Sequence, residues 1–309
     1  MNAESVPPET GSRESETGIL LSVENFTVER TRRYEDEEVC LRQVSLDLAR
    51  GEILVLAGEQ GSGVSMFCRW VAAGSVPGAK VLSGEIILDG EVLFALSRRR
   101  RRNLCRSKAL YMGRPALATF SEKRSVAQNL RDFASARGIP ISRLGTQDLH
   151  EKLYRVGCIE PEHLLEAPVR DLSMRDIARL LLLRVLLAEV DLLVCDWVTL
   201  EFDAVTERQF LEMLVHLQKE ENLSVLFTSG KLRGVEEFAD QVAIFYEGGI
   251  LEKGDPAEVI AKPKFQYTEE FLECSPAILD LPRKLGGISR EAIAEAENAV
   301  RGGVATLDS

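Results

Sequence analysis

The sequence holds no stretch of the roughly 18–20 uncharged apolar residues that a membrane-crossing helix requires. Its richest run, residues 180–188, is broken by Arg184. The opening segment, MNAESVPPETGSRESETG, lacks the apolar core of a secretory signal, so no signal peptide is expected. There is no C-x-x-C pair. The six cysteines, Cys40, Cys68, Cys105, Cys158, Cys195 and Cys274, lie far apart, which argues against a disulfide scaffold or a zinc site and fits a reducing compartment. Only three histidines occur, His150, His163 and His216, and none has a ligand-spaced partner. Positive charge is in deficit: 38 Lys and Arg against 49 Asp and Glu leave a net charge of −11, which disfavours a broadly basic nucleic-acid surface. What is present is ordinary for a globular chain. Of 309 residues, 45% are hydrophobic and 28% charged, enough apolar mass for a large core.

Residues 1–18 are rich in Glu, Ser, Thr and Pro without periodicity and read as a disordered tail. Short apolar runs at 20–28, 44–48 and 53–57 have strand length. The run ILVLA at 53–57 has no polar alternation, which predicts a strand buried on both faces, as in a parallel sheet. A Gly-rich turn and a helix-compatible stretch, 65–73, follow it, completing half of a βαβ unit. Strands are expected at 84–88 and 92–95, joined by the turn Asp89-Gly90. Residues 114–187 read as mainly helical, with breaks at Pro140, Pro161 and Pro168. LLVCD (192–196) and SVLFTS (224–229) are further buried strands flanking a helix over 206–220, and a hairpin turns at Gly248-Gly249. The alternation predicts an α/β fold with a largely parallel sheet. Beyond Pro256 an extension is expected, with a helix over 289–301 capped by Ser289 and stopped at Gly302-Gly303.

The segment GEQGSGVS, comprising Gly58, Glu59, Gln60, Gly61, Ser62, Gly63, Val64 and Ser65, lies against the pattern G-x-x-x-x-G-K-[ST]. In such a loop, backbone N–H groups converge on phosphate oxygens at a helix N-terminus, a Lys meets the outer phosphates and the hydroxyl reaches magnesium. Here Val64 stands at the Lys position. Losing a charge-assisted hydrogen bond of about 1.5–3 kcal/mol weakens nucleotide binding about 10- to 150-fold. The competing reading is that three glycines after a strand merely make a tight turn.

The order of segments from residue 20 to about 268 resembles that of ATP-binding cassette (ABC) transporter ATPase subunits, in particular the dipeptide and oligopeptide importer branch. VSLDLARGEILVLAGEQGSGVS resembles the first phosphate-binding segment, and VLSGEIILDGEVLFALS the small β-subdomain after it. KALYMGRPALATF sits at the glutamine loop, RDLSMRDIAR at the signature, VDLLVCDWVTLEFD at the second phosphate-site strand and SVLFTSGKL at the switch-histidine strand. FADQVAIFYEGGILEKGDPAEVI closes the cassette, and FQYTEEFLE resembles a peptide-importer tail. The resemblance implies a P-loop NTPase with a RecA-like, mainly parallel core, a small antiparallel β-subdomain and a helical subdomain at about 114–187. The cassette would span 19–260, and the extension 261–309.

Position by position, much of the family's chemistry is replaced. Gly113 stands for the glutamine, Trp197 for the glutamate that activates water, and Ser229 for the switch histidine. Of the signature, Leu172 and Ser173 match while Met174 and Arg175 replace its glycines. Asp203, in the loop that crosses the dimer interface, is kept, and so is Asp196, which with Ser65 would form a vestigial magnesium site. The alternative for Asp196 is a turn cap. The adenine-stacking aromatic aligns with Arg30, with Tyr34 nearby. A positioned base contributes 10²–10⁴-fold and oriented donors carry much of phosphoryl transfer, so losses at five separate positions imply impaired hydrolysis. The arginine run 98–102 reads as a solvated or partner-facing helix, with nucleic-acid binding as the alternative.

The resemblance therefore implies a degenerate subunit of a peptide-type transporter, with weak or absent ATP and magnesium binding. It would pair with an intact second ABC ATPase and with membrane permease subunits on the inner face of the cell membrane, without nucleic acid. The alternative is a non-transport pseudo-ATPase that serves as an interaction scaffold. A third reading keeps hydrolysis through unconventional residues.

Overall fold

The computed structural model describes residues 18–31, 37–275 and Glu295. The chain runs β1 (Ile19–Thr31), β2 (Glu37–Ala49), β3 (Ile53–Gly58), α1 (Val64–Ala73), β4 (Ala79–Leu88) and β5 (Glu91–Val92). It continues through α2 (Arg98–Lys108), β6 (Ala109–Gly113), α3 (Val126–Arg137), α4 (Thr146–Arg155), α5 (Pro161–Glu166) and α6 (Met174–Ala188). The last elements are β7 (Leu192–Asp196), α7 (Ala204–Glu221), β8 (Ser224–Ser229), β9 (Gln241–Tyr246), β10 (Gly249–Gly254), α8 (Pro256–Ala261) and α9 (Gln266–Cys274).

Two sheets result. A four-stranded antiparallel sheet has the order β2-β1-β4-β5, and a six-stranded sheet the order β10-β9-β3-β8-β7-β6. In the larger sheet every pairing is parallel except that of the edge hairpin β9–β10. All six residues of β3 are buried. Its alternate side chains serve opposite faces: Ile53, Val55 and Ala57 join the core under α6 and α7, while Leu54 and Leu56 join a second core shared with the small sheet and α1. In that second core Trp70 of α1 meets Phe26 of β1 edge-on at 5.7 Å.

The helices between β6 and β7 start where side chains satisfy the open N–H groups. Ser125 and Gln128 form a reciprocal capping box at α3, and Ser173 caps α6. In α6, Arg184 is buried; its guanidinium lies 3.8 Å from the Phe120 ring centroid and donates to Thr119 Oγ1 at 2.9 Å and Thr119 O at 3.1 Å. The helix thus remains apolar on the core side despite a cation in its middle.

Two expectations change. The strand expected over 92–95 stops at Val92 and gives way to a 3-10 turn, Leu93–Ala95, because Leu93 turns inward and is fully buried. Residues 266–274, assigned to a separate extension, form α9, whose Tyr267, Phe271 and Leu272 are buried in the main core. Tyr267 packs on Tyr246 of β9 with ring centroids 4.6 Å apart, so the compact unit runs past residue 260. The expected tail lies outside the described residues except Gly18, as does the expected helix over 289–301 except Glu295.

Candidate functional site

The C-terminal ends of β3, β8, β7 and β6 lie side by side, with Ala57 paired to Ser229 and Asp196 to Gly113. Loops at such strand ends are where open α/β sheets bind ligands. The sequence-selected positions Gly58–Ser65, Gly113, Asp196, Trp197 and Ser229 therefore gather along one edge although they span more than half of the chain.

The loop after β3 is held from beneath. A Cβ on Gly58 would stand 2.6 Å from the Phe245 carbonyl oxygen of β9. Glu59, Gln60 and Gly61 are exposed, and the Ser62 N–H donates to Glu59 O at 3.2 Å. Gly248 N–H then donates to Ser62 O at 2.8 Å, fixing the loop to the β9–β10 turn. Gly63 takes φ 97, the left-handed region that only glycine enters at little cost, and starts α1 with no side-chain cap. The first-turn N–H groups of α1 thus meet no capping side chain. Val64 points into the core beside α1 and is 2% exposed. At the exposed rim, Arg114 Nη2 donates to Gln60 Oε1 at 3.4 Å.

Below the loop, Ser65 Oγ donates to Asp196 Oδ1 at 2.7 Å. The other carboxyl oxygen, Oδ2, accepts from the Tyr111 hydroxyl. The Arg69 guanidinium of α1 lies near enough that Tyr111 first, and Asp196 after it, raise its pKa. Burial first, then the bond to Asp196, pushes the Tyr111 phenol above its ordinary range, so at neutral pH it remains a donor. Asp196, 3% exposed, is neither a turn cap nor an open carboxylate. These residues fit a magnesium ion poorly: Asp196 Oδ2 is bound by the Tyr111 phenol, Arg69 places a fixed cation nearby, and Gly113 offers no side-chain oxygen.

Trp197 adopts φ 56 and is 7% exposed, with its backbone N–H donating to Thr228 Oγ1 at 2.6 Å. Its ring lies against Gly230. An indole has no acceptor for a water proton. Ser229 Oγ is spent on a local turn, accepting from Lys231 N–H at 3.0 Å and donating to Lys231 O at 2.7 Å. Lys231 Nζ in turn pairs with the buried Glu207 at 2.6 Å.

The remaining positions lie elsewhere. Asp203 caps α7, accepting from the Val205 and Thr206 N–H groups at 3.0 Å and from Thr206 Oγ1 at 2.7 Å. The Thr206 hydroxyl and the backbone donors hold its carboxyl below the usual range. Leu172, Ser173, Met174 and Arg175 form the start of α6; Ser173 Oγ donates to Asp176 Oδ2 at 2.6 Å, and Arg175 is exposed. No hydrogen bond or ion pair joins these four to loop 58–65 among the described residues. Arg30 is exposed on β1, and Tyr34 lies outside the described residues.

Tyr111, Arg69, Arg114 and Gly230 were not singled out by sequence. For Tyr111 a signal existed: in a strand, residues two apart share a face, and a glycine inside a strand marks a close approach of some other group. Tyr111 and Gly113 are such a pair.

Against known proteins, the family model described as ABC transporter matches residues 41–199. The nickel import ATP-binding protein NikD of Pseudomonas putida is 31% identical over 225 residues, covering 73% of this chain and 85% of the relative. The oligopeptide transport ATP-binding protein OppD of Lactococcus lactis is 26% identical over 234 residues, covering 76% of this chain and 69% of the relative. The peptidoglycan transport ATP-binding protein YejF of Agrobacterium fabrum is 28% identical over 270 residues, covering 85% of this chain but 48% of the relative, so this chain spans about half of that protein. Among solved structures, cbiO1 from Clostridium perfringens, part of the ABC transporter complex cbiONQ, superposes with a TM-score of 0.67 at 23% identity, covering 80% of this chain and 92% of that one. With the strand before the Gly58–Ser65 loop and the strand ending in Asp196 flanking β8 in its sheet and the family match spanning half of its length, this chain belongs to the ABC transporter family.

Proposed function

We propose that this chain is a degenerate ATP-binding subunit of an importer for small solutes of the peptide or nickel type, paired with an intact ABC ATPase and impaired in its own site. The solute class is taken from the printed names of the relatives, nickel import and oligopeptide transport ATP-binding proteins. The observation that carries the impairment is Trp197: a buried indole packed on Gly230 stands where the family's water-activating glutamate would be. Val64 and Ser229 add to it, since one is sunk in the core and the other is closed on its own turn. No helix among the described residues is long and apolar enough to cross a membrane. In this reading the chain is held at the cytoplasmic face by permease subunits. The residues that would contact the partner ATPase are Asp203 and the 172–175 segment, whose exposed start of α6 would complete the partner's nucleotide site with Met174 and Arg175 in place of glycines.

The test is reconstitution. Purified alone, the chain should release no phosphate from ATP above background, and Asp196→Asn should change nothing. Co-expressed with permeases and an intact ATPase, it should copurify, and the complex should hydrolyse ATP at a rate insensitive to Asp196→Asn. Turnover by the lone chain that Asp196→Asn abolishes would overturn the reading. Copurification with neither permease nor ATPase would favour the non-transport scaffold instead.

A further inference from the structure

We propose that Tyr111 and Gly113 act as a pair to close the metal position at Asp196, so that nucleotide binding by the Gly58–Ser65 loop is independent of divalent cations. The proposal rests on the reading of that loop as a phosphate loop. It goes beyond impaired hydrolysis, because it concerns which ligand species the site accepts.

Three observations carry it. The contact between Ser65 and Asp196 Oδ1 would not by itself exclude a metal, since a serine hydroxyl can rotate away. The second oxygen is different: it is bound by the phenol of Tyr111, a rigid ring that leaves β6 on the face it shares with Gly113. A Cβ on Gly113 would stand 2.7 Å from Tyr111 Cε1, 2.8 Å from its hydroxyl oxygen and 3.0 Å from Cζ. No residue but glycine fits there while Tyr111 keeps this position, so a glutamine at 113 and the phenol on Asp196 exclude each other. The two positions form one exchange, in which a flexible amide that reports on a metal is replaced by a ring that occupies the metal's acid.

The third observation is charge. A buried carboxylate needs a compensating cation or donors. In this site Arg69 stands beside the Tyr111 hydroxyl and acts attractively on Asp196. An arginine fixed on α1 thus supplies from the chain part of the positive charge that a bound ion would otherwise bring. A divalent ion held at Asp196 would compete with the phenol for the carboxylate and sit close to that guanidinium.

The experiment measures the affinity of trinitrophenyl-ATP by fluorescence, with magnesium or with EDTA, in four full-length chains: wild type, Val64→Lys, Tyr111→Val/Gly113→Gln and the triple variant. Circular dichroism checks that each is folded. Loss of an outer-sphere partner changes metal affinity about 10–100-fold, which sets the scale. The expected result is that wild type and Val64→Lys bind with the same affinity, within about twofold, in magnesium and in EDTA. Val64→Lys should bind tighter than wild type in both. The triple variant should bind at least about tenfold tighter with magnesium than with EDTA. A wild-type or Val64→Lys chain that binds tenfold tighter with magnesium would overturn the proposal and leave the phosphate-loop reading intact. So would a folded triple variant that binds equally well in both. Failure of all four chains to bind would overturn the phosphate-loop reading and this proposal with it.

Discussion

The ring of Trp197 and the backbone of Gly230 are in direct contact: a Cβ added to the glycine would stand 3.0 Å from Trp197 Cζ3 and 3.4 Å from Cη2. The indole therefore bridges the ends of β7 and β8 and serves as packing between them. Trp197→Glu should cost about 3–5 kcal/mol, the scale for removing a buried large aromatic, and lower the melting temperature by several degrees. It should not create ATP turnover, because Val64, Gly113 and Ser229 still lack the required groups. Gly230→Ala should cost less, since the ring needs to shift by only a few tenths of an ångström. Thermal unfolding followed by circular dichroism, beside a phosphate-release assay, checks both.

Glu252 of β10 makes a pH-dependent contribution. It is buried; Oε1 accepts from Lys264 N–H at 2.9 Å, and Oε2 has no partner. Burial raises its pKa above the ordinary 4.5. The folded chain therefore holds this proton at a pH where the unfolded chain has lost it. The destabilising effect is full above the raised pKa, shrinks as the pH falls through it and vanishes below 4.5. Glu252→Gln should stabilise the fold at pH 7 by about 1 kcal/mol. That gain should disappear on acidification to below 4.5, as read from urea unfolding midpoints.

Arg184 has no carboxylate partner among the described residues; its guanidinium lies over Phe120 and 5.0 Å from the Phe133 centroid. Stacking of this kind depends on a flat, weakly hydrated cation. Arg184→Lys should therefore destabilise the fold by about 1–3 kcal/mol. Arg184→Met, which keeps the volume and strands no opposite charge, should stay within about 1 kcal/mol of wild type. The prediction is an order, Lys below Met, in denaturant midpoints. The reverse order would show that the charge matters more than the plane.

Helix α2 opens with five arginines and has no acid in its first turn, so cations crowd the positive end of the helix dipole. Arg98, Arg99, Arg100 and Arg102 are exposed, and Arg101 lies 5.3 Å from the Phe94 centroid. Arg99→Glu should stabilise the chain by about 0.3–1 kcal/mol at low ionic strength. The gain should fade in molar salt, as thermal-shift measurements at two salt concentrations would show.

The buried parallel strands were legible because nothing competes with their pattern. LLVCD and SVLFTS are β7 and β8 to the residue, since short apolar-rich runs without strict alternation, bounded by breaks, suit a strand covered on both faces. Residues 92–95 misled because VLFA satisfies a strand pattern locally, while the path of the chain is set by where Leu93 is buried. The break expected at 260 followed Pro256 and the polar stretch after it. The spacing of Tyr267, Phe271 and Leu272 on one helix face already indicated that the chain returns to the core. That positions 58–65, 113, 196, 197 and 229 gather at one sheet edge was legible from the order of the segments. The part played there by Tyr111 was not, because a tyrosine in a strand reads as an ordinary strand former. Its role emerges only when β6, β7 and α1 bring Tyr111, Asp196 and Arg69 together.

The seam between α9 and the hairpin has a mechanical meaning. Tyr267 is seated on Tyr246, and two residues further along the same strand-and-turn the Gly248 N–H grips the Ser62 carbonyl. One aromatic contact and one backbone bond thus gear the chain's last described helix to the loop that faces the sheet's open edge. A force that levers that helix outward therefore has a short route to Ser62, through Tyr246 and Gly248.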